Sequence, residues 1–129
     1  MHRKDFIRNA SLATASLAIP GSLFSQHQQA KVKIALIGTG LRGQNHLDLL
    51  LRRSDVELVA ICDIEDRMLA RAKEMISKSG KTMPQIFTGD VYAWKKMLDK
   101  KTMDAVIIST PWEWHKEMII GSLEAGLKY

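Results

Sequence analysis

At 129 residues the chain is long enough for one domain with a buried core. Its 46% apolar and 26% charged residues are those of an ordinary globular protein rather than a disordered or membrane-embedded one. The formal net charge of +5 does not point to nucleic acid: Arg3, Lys4 and Arg8 belong to the first 30 residues, and the later basic residues stand singly, without aromatic interleaving.

The chain opens on MHRKDFIRNASLATASLAIPGSLFSQ, which has the parts of an export signal: a basic start, an apolar middle from Ala10 to Phe24, then a polar stretch. The apolar part falls short of the ~20 residues a spanning helix needs, so no stable membrane span is expected. RKDFIR resembles the twin-arginine export motif with Lys4 in place of the second arginine, and the route stays open between twin-arginine export and general secretion. An uncleaved amphipathic tail is the alternative. The expected location is outside the cytoplasm, periplasmic or secreted. Residues 1–30 are assigned to the signal and a linker, and residues 31–129 to the folded domain.

From residue 31 the pattern alternates. KVKIALIG (31–38) reads as a buried strand, and LRGQNHLDLLLRR (41–53) as a helix with Leu47, Leu50 and Leu51 on one face. VELVAICD (56–63) is a second buried strand. Within it Cys62, the only cysteine, excludes an internal disulfide or a cysteine metal cluster and reads as a small buried hydrophobe; no metal site is expected. IEDRMLARAKEMISKSG (64–80) is amphipathic, with Met68, Leu69, Ala72, Met75 and Ile76 inward and Gly80 as its stop. PQIFT (84–88) is a short strand, DVYAWKKMLDK (90–100) a helix, MDAVIIST (103–110) a buried strand, and PWEWHKEMIIGSLEAG (111–126) a helix with Pro111 suited to its first turn. LKY (127–129) reads as the start of one more strand, so a piece of a longer protein is expected.

Near-continuous apolar strands alternating with helices predict an α/β fold, a Rossmann-type doubly wound parallel sheet covered on both faces. In that frame GTGLRG gives Gly38, Gly40 and Gly43 the spacing G-x-G-x-x-G, closing a strand and opening a helix, with Asp63 at the tip of the second strand. Gly38 permits the tight turn, Gly40 the approach of a pyrophosphate, and Gly43 close packing of helix on strand. The helix N-terminus offers N–H groups and partial positive charge to phosphates. Asp63 can accept hydrogen bonds from ribose hydroxyls and repels a 2′-phosphate, and Ile64 offers no compensating arginine. NAD rather than NADP is therefore expected. Arg42 either reaches a phosphate, covers the adenine or is a solvated helix arginine.

The stretch STPWEWH leaves the strand after the crossover, where ligands of open parallel sheets sit. Ser109 and Thr110 can place backbone and hydroxyl groups near a cofactor ribose. Trp112 and Trp114 can wall the nicotinamide side, with His115 one turn into the helix; the other reading is core-packed aromatics and a surface histidine. His46 and Trp94 lack such a context and are read as structural.

With GTGLRG, Asp63 and STPWEWH in place, the chain resembles the Gfo/Idh/MocA oxidoreductase family over about residues 31–129. Within it, GLRGQNH, CDIEDRMLARAKEM and STPWEWHKE look most like glycoside hydrolase family 109, NAD-dependent α-N-acetylgalactosaminidases. The resemblance implies a C-terminal α/β substrate domain before which this chain is truncated, and NAD contacts on Leu41, Arg42, Asp63 and the run Trp112, Glu113, Trp114 and His115. It implies a sugar or glycan substrate, hydrolysed by transient oxidation at sugar C3, loss of the C2 proton, elimination of the aglycone from C1, addition of water and return of the hydride. The catalytic residues are then unknown and expected beyond Tyr129; a homo-oligomer is compatible with it. Two alternatives stand beside this: a sugar or inositol dehydrogenase of the wider family, and a nucleotide-binding fragment without activity.

Overall fold

The computed structural model describes residues 29–128. The predicted export signal as far as residue 28, and Tyr129 of the predicted last strand, lie outside the described residues.

Strands and helices alternate in the order β1 (Val32–Ile37), α1 (Leu41–Arg52), β2 (Val56–Cys62), α2 (Asp66–Ser79), β3 (Gln85–Phe87), α3 (Ala93–Asp99), β4 (Ala105–Ile108) and α4 (Trp112–Glu124). The sheet order is β3-β2-β1-β4, and every pairing is parallel. The chain therefore winds outward from β1 through β2 to β3, then crosses to the other side of β1. That reversal separates the loops that follow β1 and β4 and opens a crevice at the carboxyl ends of the strands.

Alternation along the strands sends side chains to two layers. On one face Leu36 and Ile61 pack with Leu47 of α1 and with Leu69, Ala72 and Ile76 of α2. On the other, Ala35, Ile37, Ala60, Cys62 and Val106 meet Trp94, Met97 and Leu98 of α3 and Met118 of α4. Each fully buried leucine or isoleucine of these layers contributes about 1.5–3 kcal/mol. The alternation is broken once. The β1–β2 register shifts between Ile34 and Ala35, which pair with Leu58 and Ala60, so Val59 is an extra residue. Val59 and Ala60 consequently face the same layer, and Ile61 and Cys62 are set in register with Leu36 and Ile37.

Three element ends differ from the sequence reading. The helix expected from residue 90 begins at Ala93, because Gly89 adopts φ +87° and the Asp90 carboxylate accepts the Tyr92 N–H at 2.8 Å, holding a turn instead. The strand expected over 103–110 is paired only over Ala105–Ile108, since Ser109 and Thr110 turn out towards α4. Lys128 forms a single parallel bridge with Ala105, placing the predicted last strand beside β4. Among the described residues, no helix is long and apolar enough to cross a membrane.

The α3–α4 contact depends on a glycine that the sequence reading passed over. A Cβ built at Gly121 of α4 would lie 2.7 Å from Cζ3 of Trp94. Glycine inside a helix costs about 1 kcal/mol relative to alanine, and here it admits the Trp94 indole between α3 and α4. Lys95 and Glu117 then bridge the two helices at 2.8 Å on the surface.

Candidate functional site

The loop between β1 and α1 is built from three glycines with three different constraints. Gly38 has φ +90°, and a Cβ on it would stand 2.7 Å from the backbone C and O of Ser109. It serves both the turn and the close approach of the chain leaving β4. Gly43 lies under the loop: its Cβ would fall 2.0 Å from the Gly38 carbonyl oxygen. Gly40, at the helix N-cap with φ −65°, would meet nothing within 4 Å. The protein's own packing does not require a glycine there; the free space lies where a ligand would approach the start of α1. That helix has no capping side chain and no acid in its first turn, which instead carries Arg42. Its first N–H groups and the positive end of its dipole are left for an anion.

Asp63 stands just past the end of β2, opposite the loop. Its Oδ2 accepts the Thr39 N–H at 2.6 Å and the Thr39 hydroxyl at 2.8 Å, and its Oδ1 accepts the Glu65 N–H at 3.0 Å. Thr39 itself is fully buried. Asp63 thus ties the β2 tip to the glycine loop, and a carboxylate keeps lone pairs beyond these bonds for ribose hydroxyls. The sequence reading missed Thr39. The cause is pairing between distant segments: Ile37 pairs with Cys62 in the parallel register, so Thr39 and Asp63 both emerge just beyond paired strand ends.

These residues open on a cleft of about 390 Å³. Of the predicted site residues, Gly38, Gly40, Asp63, Ser109, Thr110 and Trp114 line it. Gly43 is buried behind the loop. Leu41, 76% exposed, and Arg42 point to solvent beside it, as do Trp112, 85% exposed, and Glu113. Trp114 is half-buried and stands edge-to-face on Tyr92, their ring centres 6.3 Å apart. His115 turns back on its own loop, its Nε2 2.7 Å from the Thr110 carbonyl oxygen, and so fixes the turn rather than facing the cleft. The double tryptophan therefore does not act as one wall in this structure: Trp114 is in the cleft and Trp112 outside it. His46 is half-buried on α1 and away from the cleft.

Other lining residues had no part in the site in the sequence reading: Cys62, Met68, Asp90, Val91, Trp94 and Met118. Two buried polar atoms among the described residues lack a partner, Ser109 Oγ and Trp94 Nε1, and both residues line this cleft. A buried donor without a partner costs about 1–3 kcal/mol. Burial, with the Asp63 charge beside it, pushes the Cys62 thiol up to about 12 from its usual 9.0. The thiol is therefore neutral at physiological pH; stability is unaffected while both states hold the proton and falls as the pH rises from 9.0 towards about 12, where the unfolded chain ionises and the folded one does not. In the folded protein Cys62 is expected to resist iodoacetamide at pH ~8 and to react once denaturant unfolds the chain; fast labelling under native conditions would show an open core.

The arrangement fits a dinucleotide: a helix start with free N–H groups, space at Gly40 that a side chain would fill, and a carboxylate at the neighbouring strand tip. Comparison with known proteins agrees. A glycosyl hydrolase family 109 protein of Stenotrophomonas maltophilia (strain K279a) is 44% identical across 98% of this chain, which spans only 28% of that relative's length. Among solved structures, myo-inositol 2-dehydrogenase from Lactobacillus plantarum superposes with a TM-score of 0.62 at 32% identity, over 75% of this chain and 26% of that one. Scyllo-inositol dehydrogenase from Lactobacillus casei, solved with NAD(H) and scyllo-inositol, shares the fold with a TM-score of 0.62 at 24% identity, over 75% of this chain and 26% of that one. Residues 32–129 match the Gfo/Idh/MocA family, described as an oxidoreductase family with an NAD-binding Rossmann fold. The chain belongs to the Gfo/Idh/MocA oxidoreductase family, as its NAD-binding Rossmann domain.

Proposed function

We propose that this domain holds NAD for an exported glycosidase of the α-N-acetylgalactosaminidase type. The observation that carries the reading is the 44% identity, across 98% of the chain, to a protein named for glycosyl hydrolase family 109. The roles fall as follows. The start of α1, with the space at Gly40 and the charge of Arg42, binds the pyrophosphate. Asp63 takes the hydroxyls of the adenosine ribose and, through Thr39, keeps the loop shaped for the phosphates. Ser109 and Thr110 meet the cofactor at the mouth of β4. Trp114 lines the nicotinamide side, and His115 holds the Thr110 carbonyl in place behind it. Bound NAD would accept a hydride from the sugar and return it, so that hydrolysis proceeds without net oxidation.

A second reading is favoured by the 32% identity to a myo-inositol 2-dehydrogenase: net oxidation of a sugar or inositol on the same domain. Turnover separates the two. In a protein carrying this domain at the length of its relatives, a p-nitrophenyl α-N-acetylgalactosaminide is expected to release p-nitrophenol with no build-up of NADH. Accumulating NADH with a polyol, and no glycoside cleavage, would establish the dehydrogenase instead.

A further inference from the structure

We propose that Gln44 is a positioning residue for the cofactor's pyrophosphate: its side chain holds the Thr39–Gly40 peptide so that the Gly40 N–H is turned to the anion. The inference rests on the NAD reading above. Gln44, half-buried near the start of α1, bonds back to the glycine loop twice. Its Nε2 donates to the Thr39 carbonyl oxygen at 3.1 Å, and its backbone N–H donates to the Gly40 carbonyl oxygen at 2.8 Å. Two successive carbonyls are thereby turned to one residue. In a trans peptide the N–H points away from the C=O of the same unit, and no described peptide bond is cis. The N–H groups of these two units, on Gly40 and Leu41, are therefore directed away from Gln44. Neither has an acceptor among the described residues. Open space adjoins them, because Gly40 lines the cleft and a Cβ on it would meet nothing within 4 Å.

Only one of the two peptides needs a side chain to hold it. The bond to the Gly40 carbonyl is the first of the helix ladder, but the Thr39–Gly40 peptide precedes the ladder. Asp63 holds Thr39 from the other side, through its N–H and hydroxyl, and leaves the Thr39 carbonyl untouched. A flip of this peptide would carry the φ of Gly40 from −65° to a positive value, a region that glycine enters at little cost. The flip would turn the Gly40 N–H away and put the Thr39 carbonyl oxygen in its place, and that oxygen repels a phosphate. The Gln44 amide closes this route. It is itself anchored, since Nε2 also lies 3.6 Å from the sulfur of Met68 on α2. Gln44 thus supplies what neither the glycines nor Asp63 provide.

The test uses the 129-residue chain and NMR titrations, which read millimolar affinities, with adenosine, ADP and NAD. Gln44→Met keeps the length of the side chain and its helix preference and removes the donor. ADP and NAD are expected to bind about tenfold more weakly to the variant, as for one lost hydrogen bond to a charged group. Adenosine, which has no phosphate, is expected to bind as before. Equal losses for all three ligands, or an unchanged ADP affinity in a folded variant, would make Gln44 a structural residue alone and overturn the proposal while leaving the NAD reading in place. Wild-type chain that binds none of the three would overturn the NAD reading itself, and the proposal with it. If Gln44→Met does not fold, the wild-type chain still decides. On adding ADP, its Gly40 amide proton is expected to move downfield while the side-chain amide protons of Gln44 stay where they are. A stationary Gly40 resonance would show that this N–H does not meet the phosphate. A displaced Gln44 amide pair would show that the peptide turns on binding, and either result overturns the proposal.

Discussion

Gly43→Ala is expected to destabilise the domain by about 3 kcal/mol or more, the upper range for overpacking a close-packed site. For a domain of this size that is a fall in Tm on the order of 15 °C. The cause is local: the new carbon would lie 2.0 Å from the Gly38 carbonyl oxygen, and this is backbone, which cannot rotate aside. Helix α1 would have to lift from the loop, taking Leu47 out of the layer it shares with Leu36 and Ile61. Gly40→Ala is the contrasting variant. Its Cβ meets nothing within 4 Å and its φ of −65° suits any residue, so the stability loss should stay near 0.5 kcal/mol, the cost of a poorer N-cap. NAD affinity should nevertheless fall about tenfold or more, because the added carbon occupies the space given to the pyrophosphate. Thermal unfolding followed by circular dichroism and NAD titration by calorimetry read the two effects separately. A Gly40→Ala protein that binds NAD normally would remove the phosphate from that space. A Gly43→Ala protein with an unchanged Tm would show that α1 is free to move.

The three-glycine fingerprint was legible because Gly38 and Gly43 answer backbone needs that no other residue type meets, while Gly40 keeps space open at the start of α1. The sheet was legible because parallel strands covered on both faces are apolar throughout. What the sequence did not disclose are consequences of pairing between distant segments. The extra residue at Val59 cannot be seen in VELVAIC, since it exists only relative to β1. Trp94 was read as structural, which its burial bears out. That it also lines the cleft follows from the crossover, which lays α3 over β2 and β3 and against Gly121. STPWEWH was read either as a wall facing the ligand or as a helix start with core-packed aromatics, and a helix start distributes successive side chains around an axis. Trp114 falls inward, while Trp112 and Glu113 fall outward and His115 finds the Thr110 carbonyl. Asp63 was read as a ligand group alone, yet half of what it does is hold Thr39.

That second role makes Asp63 the position with the most to separate. Asp63→Ala leaves the Thr39 N–H and the Glu65 N–H without their acceptor, and Thr39 is fully buried. A loss of about 2–4 kcal/mol is expected from these donors alone, so weaker NAD binding in this variant would confound a distorted loop with a missing ribose contact. Asp63→Asn keeps an oxygen for Thr39 and places an amide opposite Glu65, costing about 1–2 kcal/mol. Above all it removes the charge. A carboxylate beside a 2′-phosphate is opposed by about 1–4 kcal/mol, depending on how far water screens the pair. The wild-type chain should accordingly prefer NAD to NADP by roughly 5- to 850-fold, and Asp63→Asn should bring that ratio towards one while remaining folded. Because the preference is electrostatic, raising the salt concentration should also narrow it in the wild type but hardly in the variant. Calorimetry with both cofactors at two salt concentrations gives all four ratios. If the wild type binds NADP as well as NAD, Asp63 does not face the ribose, and the carboxylate serves only to shape the loop. If the ratio is large and survives in a folded Asp63→Asn chain, the discrimination comes from shape rather than charge, and exposed Ile64 at the cleft is the residue to change next.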